Sequence, residues 1–208
     1  MIDIYAWRTS NGLRATVALA ETELEHRVHP IDLGAKANRS PDYLSINPSG
    51  QTPTLVDSDS DGGKRLVLRQ SGAIVLYACR KANRFIPQDP VDYAVALQWF
   101  MQAASDIAGT SAALNQVENV SPEKVPAHIK RFKDRFIRYF NDVEKQLSDR
   151  AYLAGEVSFA DFMLYPNYAL KKDLLAPEAF PAVTAWGQRM SLRPGVQAGM
   201  TPFTEAKG

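Results

Sequence analysis

The run Asn47-Pro48-Ser49-Gly50-Gln51-Thr52-Pro53-Thr54-Leu55-Val56-Asp57 decides the reading of this chain. Asn-Pro-Ser-Gly is turn chemistry, and the apolar, β-prone residues after it predict a strand over 52–57 with a proline near its start. An X-Pro bond at that point leaves backbone groups without ladder partners. In the cis form those groups would turn outward toward a ligand; spacing alone leaves cis and trans open.

Working back toward the first residue, 34–41 is polar and leads into a short helix at 41–46, while 27–33 reads as a strand whose Pro30 suits a sheet edge. Residues 2–6 read as another strand, ending in the turn Arg8-Thr9-Ser10-Asn11-Gly12, with a helix expected from Leu13 to Leu24. Working forward, Ser58-Asp59-Ser60-Asp61-Gly62-Gly63 is a hairpin loop, Arg65–Leu68 its second strand, and Ser71 opens a helix to about Ala82. The order is βαβ, a helix-containing connection, then ββα.

Beyond the proline-bearing stretch Arg84–Pro90 the periodicity turns helical. One helix is expected over about 91–115. Val125, Ile129, Phe132, Phe136, Phe140, Val143 and Leu147 then form a stripe at helical spacing. Ser158 and Asp161 match a capping box with Val157 and Phe162 at the staple positions, and Pro166 is expected to kink the helix they start. A last helix runs from Phe180-Pro181 to Met190, closed by Arg193-Pro194-Gly195. The predicted domains are therefore 1–82, α/β, and 91–208, all-helical, with 83–90 as linker.

Composition narrows the function. With 24 Lys and Arg against 23 Asp and Glu, the net charge of +1 gives no electrostatic pull toward nucleic acid or an anionic membrane. No apolar run approaches the ~18 residues of a membrane span. Cys79 is the one cysteine, which excludes an internal disulfide and fits a reducing compartment. The 3 histidines form no i,i+4 pair, so no metal is expected. Met1 leads into Ile2-Asp3-Ile4-Tyr5 without signal-peptide character, and a cytoplasmic protein is expected.

Three segments suit a small peptide-like anion. Gln51-Thr52-Pro53 offers strand-edge backbone. Gln70-Ser71-Gly72 stands at a helix N-terminus, where free N–H groups and the dipole favour a carboxylate, with Ser71 expected as the N-cap. Thr9-Ser10-Asn11 offers hydroxyl and amide groups at another N-terminus, suited to an anion such as a thiolate. Taken alone, each also has a plain reading as a cap or an edge.

Taken together, and with Tyr152-Leu153-Ala154-Gly155 before Ser158-Phe159-Ala160-Asp161 and Phe180-Pro181-Ala182-Val183 before Arg193-Pro194, they give a sequence that resembles the cytosolic glutathione transferases. The start of the chain is most similar to the nu class, the bacterial glutathione-dependent disulfide-bond reductases. Val28–Gly34 and Asp61-Gly62-Gly63 also fit it. The resemblance implies a thioredoxin-like N-terminal domain, an all-α helical-bundle C-terminal domain and a homodimer. It implies glutathione as cosubstrate, a small disulfide or electrophile as partner, and a role in detoxification. It puts Thr9, Ser10 and Asn11 at the glutathione sulfur as catalytic residues. Thr52 would meet the cysteinyl unit with Pro53 cis, and Gln70 and Ser71 the γ-glutamyl end. Asn38 and Gln51 would lie near the glycyl end, and Arg131 would reach the ligand from the long helix.

Two positions depart from the nu pattern. Ser10 replaces its usual proline, adding an alternative thiol partner, and Gln70 replaces its usual glutamate. Trp7-Arg8-Thr9-Ser10 is also similar to the zeta class, so a glutathione-dependent isomerase is the alternative, beside a non-catalytic interaction protein that keeps the fold. Tyr5 and Cys79 read as packing residues, Cys79 as a small buried hydrophobe.

Overall fold

A computed structural model describes residues 1–60 and 62–203; Asp61 of the expected hairpin loop lies outside them. The chain forms two compact units. Met1–Ile86 joins with the described part of Leu192–Gly208, and Pro87–Ser191 forms the other.

The first unit is built on a four-stranded sheet in the order β2-β1-β3-β4, from β1 (Ile2–Ala6), β2 (His26–Pro30), β3 (Thr54–Asp57) and β4 (Leu66–Arg69). β1 runs parallel to β2 and antiparallel to β3, and β4 is antiparallel to β3. The inner strands carry the core: Ile2, Ile4 and Ala6 alternate inward along β1, and all four residues of β3 are buried. β2 is an edge, which is why Pro30 is tolerated in it. Helices α1 (Ser10–Glu21), α2 (Pro41–Ile46) and α3 (Ser71–Ala82) complete the thioredoxin-like order.

α1 starts three residues before the expected Leu13. Thr9 caps it, its side chain accepting from the Gly12 N–H at 3.2 Å, so the apparent turn is a helix entry. Gly12 is demanded by crowding: a Cβ there would sit 2.1 Å from the Trp7 carbonyl oxygen. α1 is buried on nearly every side, so its sequence lacks the amphipathic stripe that would have marked its bounds. It ends at Glu21 rather than near Leu24, where Glu23 takes φ 57°. The third strand begins at Thr54 rather than Thr52.

One helix was not expected. Pro194-Gly195, read as a stop, opens α9 (Pro194–Met200), which packs along α1. A Cβ on Gly199 would lie 2.3 Å from the Val17 Cα, so glycine permits the close approach, and Thr16 donates its hydroxyl to the Gly199 carbonyl at 2.6 Å. The Glu21 carboxylate accepts from Arg193 at 2.6 Å and from the Val196 N–H at 3.0 Å. A seven-residue helix is too short to declare itself by propensity and owes its stability to this docking. Residues 192–203 thus belong with the first unit, where the sequence placed them in the helical domain.

The second unit is all-helical. α4 (Pro90–Gln102) and α5 (Ala108–Asn115) are joined by a π-helical turn at Ala103–Ile107, and a second such turn, Gln116–Val120, follows. Then come α6 (Pro126–Leu147), α7 (Phe159–Lys171) and α8 (Pro181–Ser191). The α6 stripe buries Phe136, Phe140, Val143 and Leu147. Both halves of the Ser158–Asp161 capping box form, and α7 runs on through Pro166 to Lys171. Among the described residues no helix is long and apolar enough to cross a membrane.

Candidate functional site

Sheet register brings the three suspected segments of the first unit to one end. Tyr5, near the end of β1, pairs with Thr54 at the start of β3, and Thr54 pairs with Arg69 at the end of β4. The chain therefore enters Thr9–Asn11, leaves Gln51–Pro53 and enters Gln70–Ser71 at the same end of the sheet. Thr52-Pro53 is cis, and Thr52 lies outside the ladder, which begins at Thr54.

Thr9 sits at the cap position. Because its Oγ1 accepts from Gly12, its hydroxyl proton remains available to donate outward. Ser10 is the first helical residue and half-buried, and Asn11 is exposed on the first turn. The Asn11 Oδ1 accepts from Arg14 Nη1 at 2.7 Å.

Gln70, not Ser71, takes the cap position of α3, and this corrects the expectation. Gln70 is held at φ 74°, ψ 118°, makes no side-chain cap bond and is exposed. A non-glycine residue in that region carries strain, of a kind that clusters at ligand sites. The helix starts at Ser71 as expected, and the buried Ser71, one residue past the cap, accepts from Arg14 Nη1 at 3.5 Å instead of capping.

The cis-proline segment is held from below. Asn47 Nδ2 donates to the Gln51 carbonyl at 2.6 Å and to Thr54 Oγ1 at 2.9 Å, and the Tyr43 hydroxyl donates to the same carbonyl. Asn47 Oδ1 in turn accepts from the Ser49 hydroxyl at 2.7 Å. The Gln51 side chain is left exposed. Asn38 donates to the Gly50 carbonyl at 2.7 Å, tying the polar connection to the turn before Gln51. Asn47 and Tyr43 were missed from sequence, although an asparagine opening an Asn-Pro turn is a known side-chain acceptor for the backbone two residues on.

Arg131 belongs to α6 of the second unit. It is exposed and lines a groove of about 450 Å³ with Lys130, Asp134, Arg135 and Arg138.

Tyr5 stacks on His29 with ring centroids 4.5 Å apart, in keeping with packing. Cys79 is fully buried, and burial, reinforced by the charge of Glu21, pushes its thiol up to about 12. At neutral pH it is no nucleophile. No group of His, Cys, Asp and Glu among the described residues could hold a metal ion.

Comparison with known proteins places the chain in a family. Family models for the glutathione S-transferase N-terminal and C-terminal domains match residues 2–80 and 127–194. The Escherichia coli (strain K12) disulfide-bond oxidoreductase YfcG is 32% identical over 93% of this chain and 92% of its own. This chain belongs to the glutathione S-transferase family. A second E. coli disulfide-bond oxidoreductase, YghU, is 26% identical over 95% of this chain and 73% of its own. The glutathione transferase BgramDRAFT_1843 of Burkholderia graminis, solved with two glutathione molecules bound per subunit, superposes with a TM-score of 0.90 at 25% identity. That match covers 100% of this chain and 89% of the other.

Proposed function

We propose that this transferase uses the glutathione thiolate to reduce small disulfides, with conjugation to electrophiles as the same sulfur's second outlet. The observation that carries the reading is the buried, high-pKa Cys79. Disulfide exchange needs an attacking thiolate and a resolving thiol, and this chain's one cysteine supplies neither. Both sulfurs must come from ligands. In the first step a glutathione thiolate attacks one sulfur of the substrate, forming a mixed disulfide and expelling the other sulfur as a thiolate, which takes up a proton. In the second, another glutathione thiolate attacks the glutathionyl sulfur. Glutathione disulfide forms and the second substrate thiol leaves.

Thr9 and Asn11 donate to the attacking sulfur, with the Ser10 hydroxyl as a further donor and the α1 dipole favouring the charge. The Thr52 backbone pairs with the cysteinyl unit beside cis-Pro53. Gln70 and Ser71, at the start of α3, receive the γ-glutamyl end, while Asn38 and Gln51 serve the glycyl end. Arg131 holds a carboxylate of the second glutathione.

The protein is read as cytoplasmic, in keeping with a lone reduced cysteine. It is also read as a homodimer, because α4 leaves Val91 at 70% and Met101 at 53% exposure. Sedimentation at micromolar concentration should give twice the chain mass of 23.0 kDa.

Steady-state reduction of a small disulfide by glutathione tests the mechanism. Cys79→Ala should keep the rate within twofold, and Asn11→Ala should lose at least roughly tenfold, about 1.4 kcal/mol of transition-state stabilisation. A folded Cys79→Ala protein without activity would refute ligand-only sulfur chemistry.

A further inference from the structure

Arg14 is a charged residue within the buried run Gly12–Leu19 of α1. It is 1% exposed, and its Nη1 reaches Asn11 Oδ1 at 2.7 Å and Ser71 Oγ at 3.5 Å. Burying a charge is costly, and an apolar side chain of similar volume would fill the space without that cost. What the guanidinium adds over such a side chain is its donors.

We infer that Arg14 is a positioning residue that fixes which end of the Asn11 carboxamide faces the ligand. The inference rests on the reading of Asn11 as a donor to the glutathione sulfur. An asparagine side chain carries an acceptor at one tip and donors at the other, and either can point outward. A guanidinium carries donors only. Whatever else Arg14 touches, the Asn11 tip facing it at 2.7 Å must be the oxygen, so the –NH₂ points away. A thiolate needs a donor there; the flipped amide would present a lone pair and repel it. Burial lowers the guanidinium pKa to about 10, which leaves it protonated, and so donor-only, at neutral pH.

Distance separates the two contacts. The bond to Asn11 is short and charge-assisted, whereas 3.5 Å to Ser71 is at the limit of a hydrogen bond. The effect therefore falls on the sulfur chemistry rather than on γ-glutamyl binding.

The test compares Arg14→Gln, whose amide can itself accept and so lets Asn11 flip, with Arg14→Lys, which remains donor-only. Arg14→Gln should lower kcat for disulfide reduction about tenfold with the KM for glutathione changed less than threefold, while Arg14→Lys stays within threefold of wild type. Adding Arg14→Gln to Asn11→Ala should cost no more than a further twofold. Equal losses in the two Arg14 variants, or a loss that multiplies with Asn11→Ala, would make Arg14 a packing residue. If the variants do not fold, wild-type protein labelled with ¹⁵N-asparagine serves instead. The Asn11 –NH₂ signals should shift as glutathione is added, and unmoved signals at saturation would overturn the inference. Calorimetry on wild type separates the two ideas: no glutathione binding at all would overturn the underlying reading of the site.

Discussion

Arg14 in α1 and Asp161 in α7 are both buried charges, and they are buried for opposite reasons. Asp161 is surrounded by donors. One oxygen accepts from the Trp186 indole at 2.9 Å and the Leu153 N–H at 3.2 Å, the other from the Ser158 N–H at 2.9 Å and its hydroxyl at 3.2 Å. Its whole acceptor capacity is spent inside the protein, holding the 152–156 turn, the start of α7 and Trp186 of α8 together. Arg14 instead faces the open end of a sheet through Asn11, an exposed residue. A buried charge with every lone pair used is an organiser of the fold, and one that orients an exposed polar group prepares a site.

The comparison breaks most visibly at Asp161. Asp161→Ala takes the acceptor from four buried donors, and should destabilise the protein by about 4 kcal/mol. Urea titration followed by tryptophan fluorescence checks this; a loss under about 1 kcal/mol would deny Asp161 its organising part.

The same residue gives a pH signature. Burial outweighs the four hydrogen bonds and raises its carboxyl to about 6. An unfolded aspartate releases its proton near pH ~4. Between those values the folded chain binds more protons than the unfolded one, so Asp161's contribution to stability is full below that window. It is lost as pH rises through about 6, by about 3 kcal/mol in all. Asp161→Asn should flatten that slope, read as urea midpoints from pH 4 to 7. An unchanged slope would mean the carboxyl titrates normally.

Arg14 should behave in the opposite way. Arg14→Met removes a charge whose short bond goes to Asn11, which is open to water, and whose contact with the buried Ser71 is long at 3.5 Å, so stability should change by less than about 1.5 kcal/mol. A larger loss in the same urea titration would make the two buried charges alike. The smallest effect is at the cap of α1. Thr9→Ala should cost about 1 kcal/mol, Thr9→Ser much less, and a stability insensitive to either would show that Gly12 needs no acceptor.

Much of this was legible because it is local chemistry. The Ser158–Asp161 box needs only a hydroxyl and a carboxylate three residues apart, and α3 from Ser71 to Ala82 is bounded by ordinary helix signals. The cap of α3 misled by one residue, because nothing local announces that Gln70 will adopt a positive φ. Arg14 left one usable trace, a cation among Leu13, Ala15, Val17 and Ala18.

By itself, the sequence determined the order of the four strands and of α1 to α3, the buried state of Cys79 and the three candidate segments, since each follows from periodicity, turn residues or caps within a few positions. Only the tertiary structure decided that Thr9–Asn11, Gln51–Pro53 and Gln70–Ser71 share one end of the sheet, because that depends on pairing Tyr5 with Thr54 and Thr54 with Arg69 across long stretches of chain. It alone decided that Pro194–Met200 would be a helix, since docking against Val17 and Glu21 rather than propensity stabilises it. The direction of the Asn11 amide was settled in the same way, by a guanidinium whose burial is a property of the packed unit and not of the residues beside it.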